Sequence, residues 1–219
     1  MFHPKPYLSF SQMTTFEMSP QDYIAQYVDK ERRRPTKNMR YGSRMATGLE
    51  KGEASGDPIL DLMMAKVPKF EIRDQPVEVT PGFEVWYERD NRNVSLPVLD
   101  NGGKGGLIPL MAVPDTMKAD LSSFKEYKTS VRKWTQRMAD QSGQITFYTT
   151  VMWLITHRVP EDIELVNVPV SYGEGGKLMP TGELVRWPTK RTMVDVIRMT
   201  KRIRETWQGI SALCEKELL

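Results

Sequence analysis

One cysteine and two histidines are all that this 219-residue chain offers in thiolate and imidazole ligands. Cys214 cannot close an internal disulfide, and His3 with His157 is too few for a structural zinc or an iron–sulfur cluster. A metal site would have to be built from oxygen. The chain also lacks any run of about 18 apolar residues, and its opening MFHPKPYLSF lacks the basic segment, apolar block and small-residue cleavage site of a secretory signal. A soluble, cytoplasmic protein with no membrane partner is the expectation. There is no internal repeat and no low-complexity tract. Charge of one sign is not in large excess either: the net charge is +3, too small to argue for nucleic acid by its sum.

The distribution of charge says more. Lys30, Arg32, Arg33, Arg34, Lys37, Arg40 and Arg44 crowd one stretch, and Arg186, Lys190, Arg191, Arg198, Lys201, Arg202 and Arg204 crowd another. Basic clusters flanking a core suit a surface that tracks phosphates, although solvated loops and an exposed helix face look the same in sequence.

With 39% hydrophobic and 27% charged residues the chain can bury a core, and residues 1–219 read as a single domain. Ser9 with Gln12 resembles a capping box ahead of a helix from about Ser11 to Met18, and Ser19-Pro20 restarts it. A helical stretch is expected at Gly42 to Glu50 and another after Asp57-Pro58. From Lys69 the texture turns to strands: KFEIRDQPVEVT, GFEVWYERD, GLIPLMAVPD and LSSFKEYKT, with turns at Asp90-Asn91 and NGGKGG. Helical spacing returns from Val131 to about His157, with Gln144, Phe147, Tyr148, Val151 and Leu154 on one face. A strand pair, IELVNVPVSYG and GELVRWPT, precedes a C-terminal amphipathic helix over 193–219, with Val194, Val196, Ile197, Ile203, Trp207, Ile210 and Leu213 available for packing. Helix, strands, helix, strands, helix indicates an α/β domain around a mixed sheet flanked by helices.

The chemistry centres on FKEYKTS. On a strand, Phe124, Glu126 and Lys128 share one face while Lys125 and Tyr127 take the other. A carboxylate beside an amine suits a hydrolytic site, the carboxylate binding a hard dication and the amine orienting water or offsetting transition-state charge. Acid-any-lysine arises readily by chance in a chain with 28 acidic residues, and one carboxylate is a poor magnesium site. Asp115, ending the preceding apolar strand, supplies a second if a turn through Lys118-Ala119-Asp120 folds the two strands together.

Pro114-Asp115, ten residues, then Glu126-Tyr127-Lys128 resembles the signature of the PD-(D/E)XK nuclease superfamily, in its RecB-like branch. Further pieces fall in the same order. Ser9-Phe10-Ser11-Gln12 with Ser19-Pro20 and Tyr23 is similar to the opening helix of that branch; Gly42, Ala46 and Glu50 stand where it carries glycine, histidine and glutamate. Thr129, Trp134, Gln144 and Tyr148 match its threonine, tryptophan and glutamine–tyrosine helix. The correspondence covers about residues 7–155.

The resemblance implies a restriction-endonuclease-like core and a DNase dependent on Mg2+ or Mn2+, exonuclease favoured over endonuclease. Such an enzyme would serve end processing, recombination or repair in a bacterium or a phage-infected cell. By it, Asp115 and Glu126 bind the cation, with the carbonyl of Tyr127 and the side chain of Glu50 as further ligands. Lys128 positions water or stabilises the pentacovalent state, and Gln144 and Tyr148 contact DNA or orient Lys128. A homo-oligomer and a recombination partner protein are compatible with it.

Three positions depart from the pattern. Ala46 stands in place of the histidine, Ser19 in place of a cysteine, and Ala112 in place of a glycine; without a C-terminal cysteine cluster the iron–sulfur form is excluded. The alternative reading is a nucleic-acid-binding or assembly protein on the same fold with its catalysis lost. The complete set of Asp115, Glu126 and Lys128 favours the enzyme.

Overall fold

The computed structural model describes residues 3–31, 35–51, 54–65, 87–89, 92–94, 98–104, 106–118, 120–176, 178–181 and 184–217. The side chains of residues 46, 49–51, 59, 63, 87–89, 92–94 and 217 lie outside that description. The first strand expected after Lys69, most of the second, and the Asp90-Asn91 turn also lie outside it.

Strand β1 (Leu8–Ser9) runs straight into α1 (Phe10–Met18), where the Ser9 hydroxyl accepts from the Gln12 N–H. The expected capping box is only half formed. The buried Gln12 amide donates to the Tyr7 carbonyl and to Ser9 Oγ instead of serving the Ser9 N–H. Pro20 opens α2 (Pro20–Tyr23), which continues as a π-helical turn over Ile24–Val28. Helix α3 (Lys37–Lys51) begins earlier than expected, because the Thr36 hydroxyl accepts from the Met39 N–H. Helix α4 (Pro58–Met64) starts behind Asp57.

Two short strands, β2 (Tyr87–Arg89) and β3 (Arg92–Val94), pair antiparallel. Strands β4 (Val98–Asp100) and β5 (Leu107–Met111) pair across NGGKGG, where Gly102 and Gly103 take φ of +65° and +76°. That stretch is a turn, as its glycines imply. β5 also pairs parallel with β1.

The larger sheet has the order β10 (Val185–Thr189), β8 (Asp162–Tyr172), β7 (Ser123–Ser130), β6 (Thr116–Met117), with β9 (Leu178–Pro180) on the far end of β8. Only β7 and β8 run parallel, paired from Ser123↔Asp162 to Ser130↔Pro169. Parallel strands need a crossover, here α5 (Gln136–Asp140) and α6 (Gly143–Thr156). The single helix expected from Val131 to His157 is therefore two. The Ser142 hydroxyl accepts from the Ile145 N–H and starts α6 afresh, while His157, at φ +56°, closes it with its N–H on Trp153 O.

Helices cover both faces of this sheet. Phe124, Ile163 and Leu165 join Phe147 and Val151 of α6 and Ile203 and Ile210 of α7 (Met193–Glu217) in one core. Tyr127, Val168 and Val170 join Tyr41 and Met45 of α3 and Leu60 of α4 in a second. Each fully buried side chain of this size contributes about 1.5–3 kcal/mol relative to exposure. On α7, Val196, Ile203, Trp207 and Ile210 pack as expected, but Val194 and Ile197 face solvent; Met199 and Cys214 complete the stripe at three- and four-residue spacing. The fold is mixed α/β. Among the described residues no helix is long and apolar enough to cross a membrane.

Candidate active site

The alternation of β7 sorts its side chains as the sequence implies. Lys125 turns to Glu164 (3.2 Å) and Tyr127 packs into the second core, while Phe124, Glu126 and Lys128 share the other face. Asp115 precedes β6, whose antiparallel register pairs Thr116 with Lys125; carried one residue further, it sets Asp115 opposite Glu126. The turn ends at Leu121, at φ +59°, with Lys118 N–H on Ser123 O. Asp115 Oδ2 accepts from the Tyr127 N–H at 2.7 Å. In an extended strand the N–H and C=O of one residue leave on the same side, so the Tyr127 carbonyl also faces the Asp115 edge.

Glu126 is 4% exposed, and its two oxygens differ sharply. Oε1 accepts from Lys128 Nζ (2.6 Å) and from Gln144 Nε2 (2.7 Å). Oε2 is buried without a hydrogen-bond partner among the described residues. Burial, and then the charge of Asp115, push the Glu126 carboxyl up to about 7, against the opposing pull of Lys128 and Gln144.

Gln144, in the first turn of α6, fixes the amine. Its Oε1 accepts from Lys128 Nζ (2.7 Å), while its Nε2 donates to Glu126 and to the Tyr148 hydroxyl (2.7 Å). A flipped amide would turn an oxygen onto a carboxylate, so this orientation is enforced. Tyr148, one turn on, donates to the Val113 carbonyl (3.2 Å) and rests edge-on against Phe124. Burial first, and then the Glu126 charge, hold its phenol well above the usual range. Helix α6 is thereby tied both to the Glu126–Lys128 pair and to the segment that delivers Asp115.

The structure brings together five of the residues singled out in sequence: Asp115, Glu126, Lys128, Gln144 and Tyr148. Tyr127 joins them through its backbone. Glu50 falls on α3, but its side chain lies outside the described residues. Other motif pieces meet in pairs. Tyr23 OH donates to Gln12 Oε1 (3.5 Å), and a Cβ on Gly42 would come 3.1 Å from Thr129 Oγ1.

Two residues emerge that sequence reasoning did not assign. Asn167 pairs in register with Lys128, is buried, and leaves its Oδ1 without a partner among the described residues. Arg191 had counted among the phosphate-tracking cations, yet it is buried. Its five N–H bonds reach Thr146 Oγ1, Thr189 Oγ1 and the carbonyls of Lys190, Ala139 and Ser142. It clamps the break between α5 and α6, two residues before Gln144. Other cations of the second basic cluster stay at the surface but are engaged within the chain: Arg186 pairs with Glu164, Arg202 with Glu17, and Arg204 donates to Asp100 O.

The donor set fits a hard divalent cation. Two carboxylates of different strand segments lie within electrostatic reach of each other, and one buried oxygen, Glu126 Oε2, has no other partner among the described residues. No three His, Cys, Asp or Glu side chains cluster among the described residues, so backbone or water oxygens would complete the shell. No protein-family model and no curated protein matches the chain.

Proposed function

We propose that this protein is a metal-dependent deoxyribonuclease built on a restriction-endonuclease-like core and related to the RecB-like PD-(D/E)XK nucleases. It would act in DNA end processing, recombination or repair. One observation carries the reading: the buried Glu126 has one oxygen held by Lys128 and Gln144 and the other without a partner among the described residues, with the Asp115 charge close enough to raise its pKa.

A divalent cation held by Asp115, Glu126 and the Tyr127 carbonyl would polarise the scissile phosphate and lower the pKa of a water. The remaining work falls to the chain's own side chains. Lys128 Nζ has three N–H bonds, and Glu126 and Gln144 accept two of them. The third is left to hold the attacking water or the oxygen that gains charge as the new bond to phosphorus forms and the old ester bond breaks. The water's proton leaves to solvent or to a carboxylate, and the departing alkoxide takes one up. Gln144 keeps the amine aimed, and Tyr148 keeps Gln144 aimed.

Purified protein incubated with linear and circular duplex DNA, in magnesium, manganese or chelator, tests this. Cleavage in metal alone is expected, reduced by about 100-fold or more in Glu126→Gln and Lys128→Ala. If the wild type cuts neither substrate, or if both variants cut as well as it does, the reading fails.

A further inference from the structure

On the opposite face of the sheet from Glu126 lies a cavity of about 320 Å3 between α3 and the loop before β9. Its walls carry three cations, Lys37, Arg40 and Arg44, against one carboxylate, Asp57. Asp57 is buried and directs Oδ1 to the Leu60 N–H (3.5 Å) at the start of α4. Arg44 is anchored on the Ser55 carbonyl, whereas Lys37 and Arg40 have no carboxylate partner among the described residues.

Tyr41 supplies the second observation. It lines the same cavity, is 6% exposed, and its hydroxyl has no hydrogen-bond partner among the described residues. Burial and the charge of Asp57 push that hydroxyl up to about 12, so it remains a neutral donor. A buried donor without an acceptor costs free energy that a ligand oxygen would recover. The facing wall is Gly175-Gly176, at φ of +66° and +68°, and a Cβ on Gly176 would stand 3.5 Å from Lys37 Nζ. Side chains on that wall would narrow the space, and the left-handed backbone disfavours them.

We infer that this cavity is a phosphate-binding site, in which Lys37, Arg40 and Arg44 neutralise the group and the Tyr41 hydroxyl donates to one of its oxygens. Phosphate suits the walls because its several oxygens and charge can engage guanidinium, ammonium and phenol donors together. The group could belong to a DNA strand or to a small phosphate ester. The site stands apart from the residues assigned to cleavage and does not depend on that assignment.

The test is calorimetric titration of inorganic phosphate into the full chain with chelator present, at ionic strength held constant with sodium chloride. Saturable binding is expected. Arg40→Ala should weaken it about tenfold, and Tyr41→Phe about threefold. Tyr41→Phe separates ligand from scaffold, since removing an unpartnered hydroxyl should leave the melting temperature unchanged or raised. Lys37→Ala, an exposed change, serves as a second variant should Arg40→Ala fold poorly. A second arm titrates a duplex oligonucleotide in chelator, with phosphate as competitor. Weakening of duplex binding by Arg40→Ala, with competition by phosphate, supports the site and identifies DNA as the source. Weakening of phosphate binding alone supports the site and points to a small phosphate ester. Absence of saturable phosphate binding by the wild type, or equal affinity in Arg40→Ala and Tyr41→Phe, overturns the inference.

Discussion

Lys128 and Gln144, 16 residues apart in the chain and on different elements, meet amine to amide oxygen at 2.7 Å. The same amide donates to the carboxylate that Lys128 also grips, closing a three-membered ring of hydrogen bonds. Gln144→Ala should therefore slow metal-dependent DNA cleavage by about 10- to 100-fold, the range for residues that orient a reactive group. Combined with Lys128→Ala it should add little. A double-mutant cycle on kcat checks this, and strict additivity would mean that Gln144 acts independently of the amine.

Without metal, Glu126 makes stability depend on pH in an unusual direction for an acid. Its folded pKa of about 7 lies above the 4.5 of an unperturbed glutamate, so between those values the folded state holds a proton that the unfolded chain has released. Stability from this group is complete below about pH 4.5 and is lost as pH rises through 7, a decline on the order of 3 kcal/mol. Urea unfolding at pH 5 and pH 8 in chelator should show that component in the wild type. Glu126→Gln, neutral throughout, should lack it and be the more stable protein at pH 8.

Adding the cation should offset part of that decline. Magnesium or manganese at about ten times its Kd would add about 1.4 kcal/mol and raise the melting temperature by roughly 3–6 °C, more at pH 8 than at pH 5, where protons compete for Glu126. Thermal unfolding without DNA measures this apart from catalysis. Asp115→Asn should remove most of the shift, and a full shift in that variant would place the cation elsewhere.

Much of this site was legible because it obeys simple periods. Alternation along FKEYKTS put Glu126 and Lys128 on one face, and a four-residue step put Gln144 above Tyr148; the structure keeps both. A hairpin does deliver Asp115, but not the expected one: the apolar strand β5 ends at Met111 and pairs with β4 and β1, and the two-residue β6 that follows Asp115 makes the pairing with β7. What escaped the sequence were contacts with no local signal. Arg191 reads like its neighbours Lys190 and Arg186, and only the fold supplies it with five oxygens. The break at Ser142 does carry a local signal, an N-cap serine whose hydroxyl accepts from the Ile145 N–H, but helical spacing on both sides of it reads as one helix. Val194 and Ile197 are as apolar as Val196, yet the helix's rotation leaves them outside.

Arg191→Lys keeps the charge but cannot replace the five-armed donor set, and should destabilise by roughly 3 kcal/mol by leaving buried carbonyls without partners. Denaturant unfolding reads the loss. Because the clamp sits beside the start of α6, cleavage by the folded variant should fall as well, in kcat more than in KM. A stable variant with unchanged kcat would show the clamp to be dispensable.

The strand that carries Glu126 and Lys128 is zipped along eight residues to β8, a strand on which no piece of the motif falls. The span that resembles a nuclease, about residues 7–155, is consequently not a detachable module. A fragment ending there would keep every candidate reactive side chain and lose the strand against which their spacing is set. Shuffling, fusion or trimming of this chain should keep β8 and also α7, whose Ile203 and Ile210 share a core with Phe124, rather than stop at residue 155. Evolution, constrained in the same way, would have to carry the two halves together.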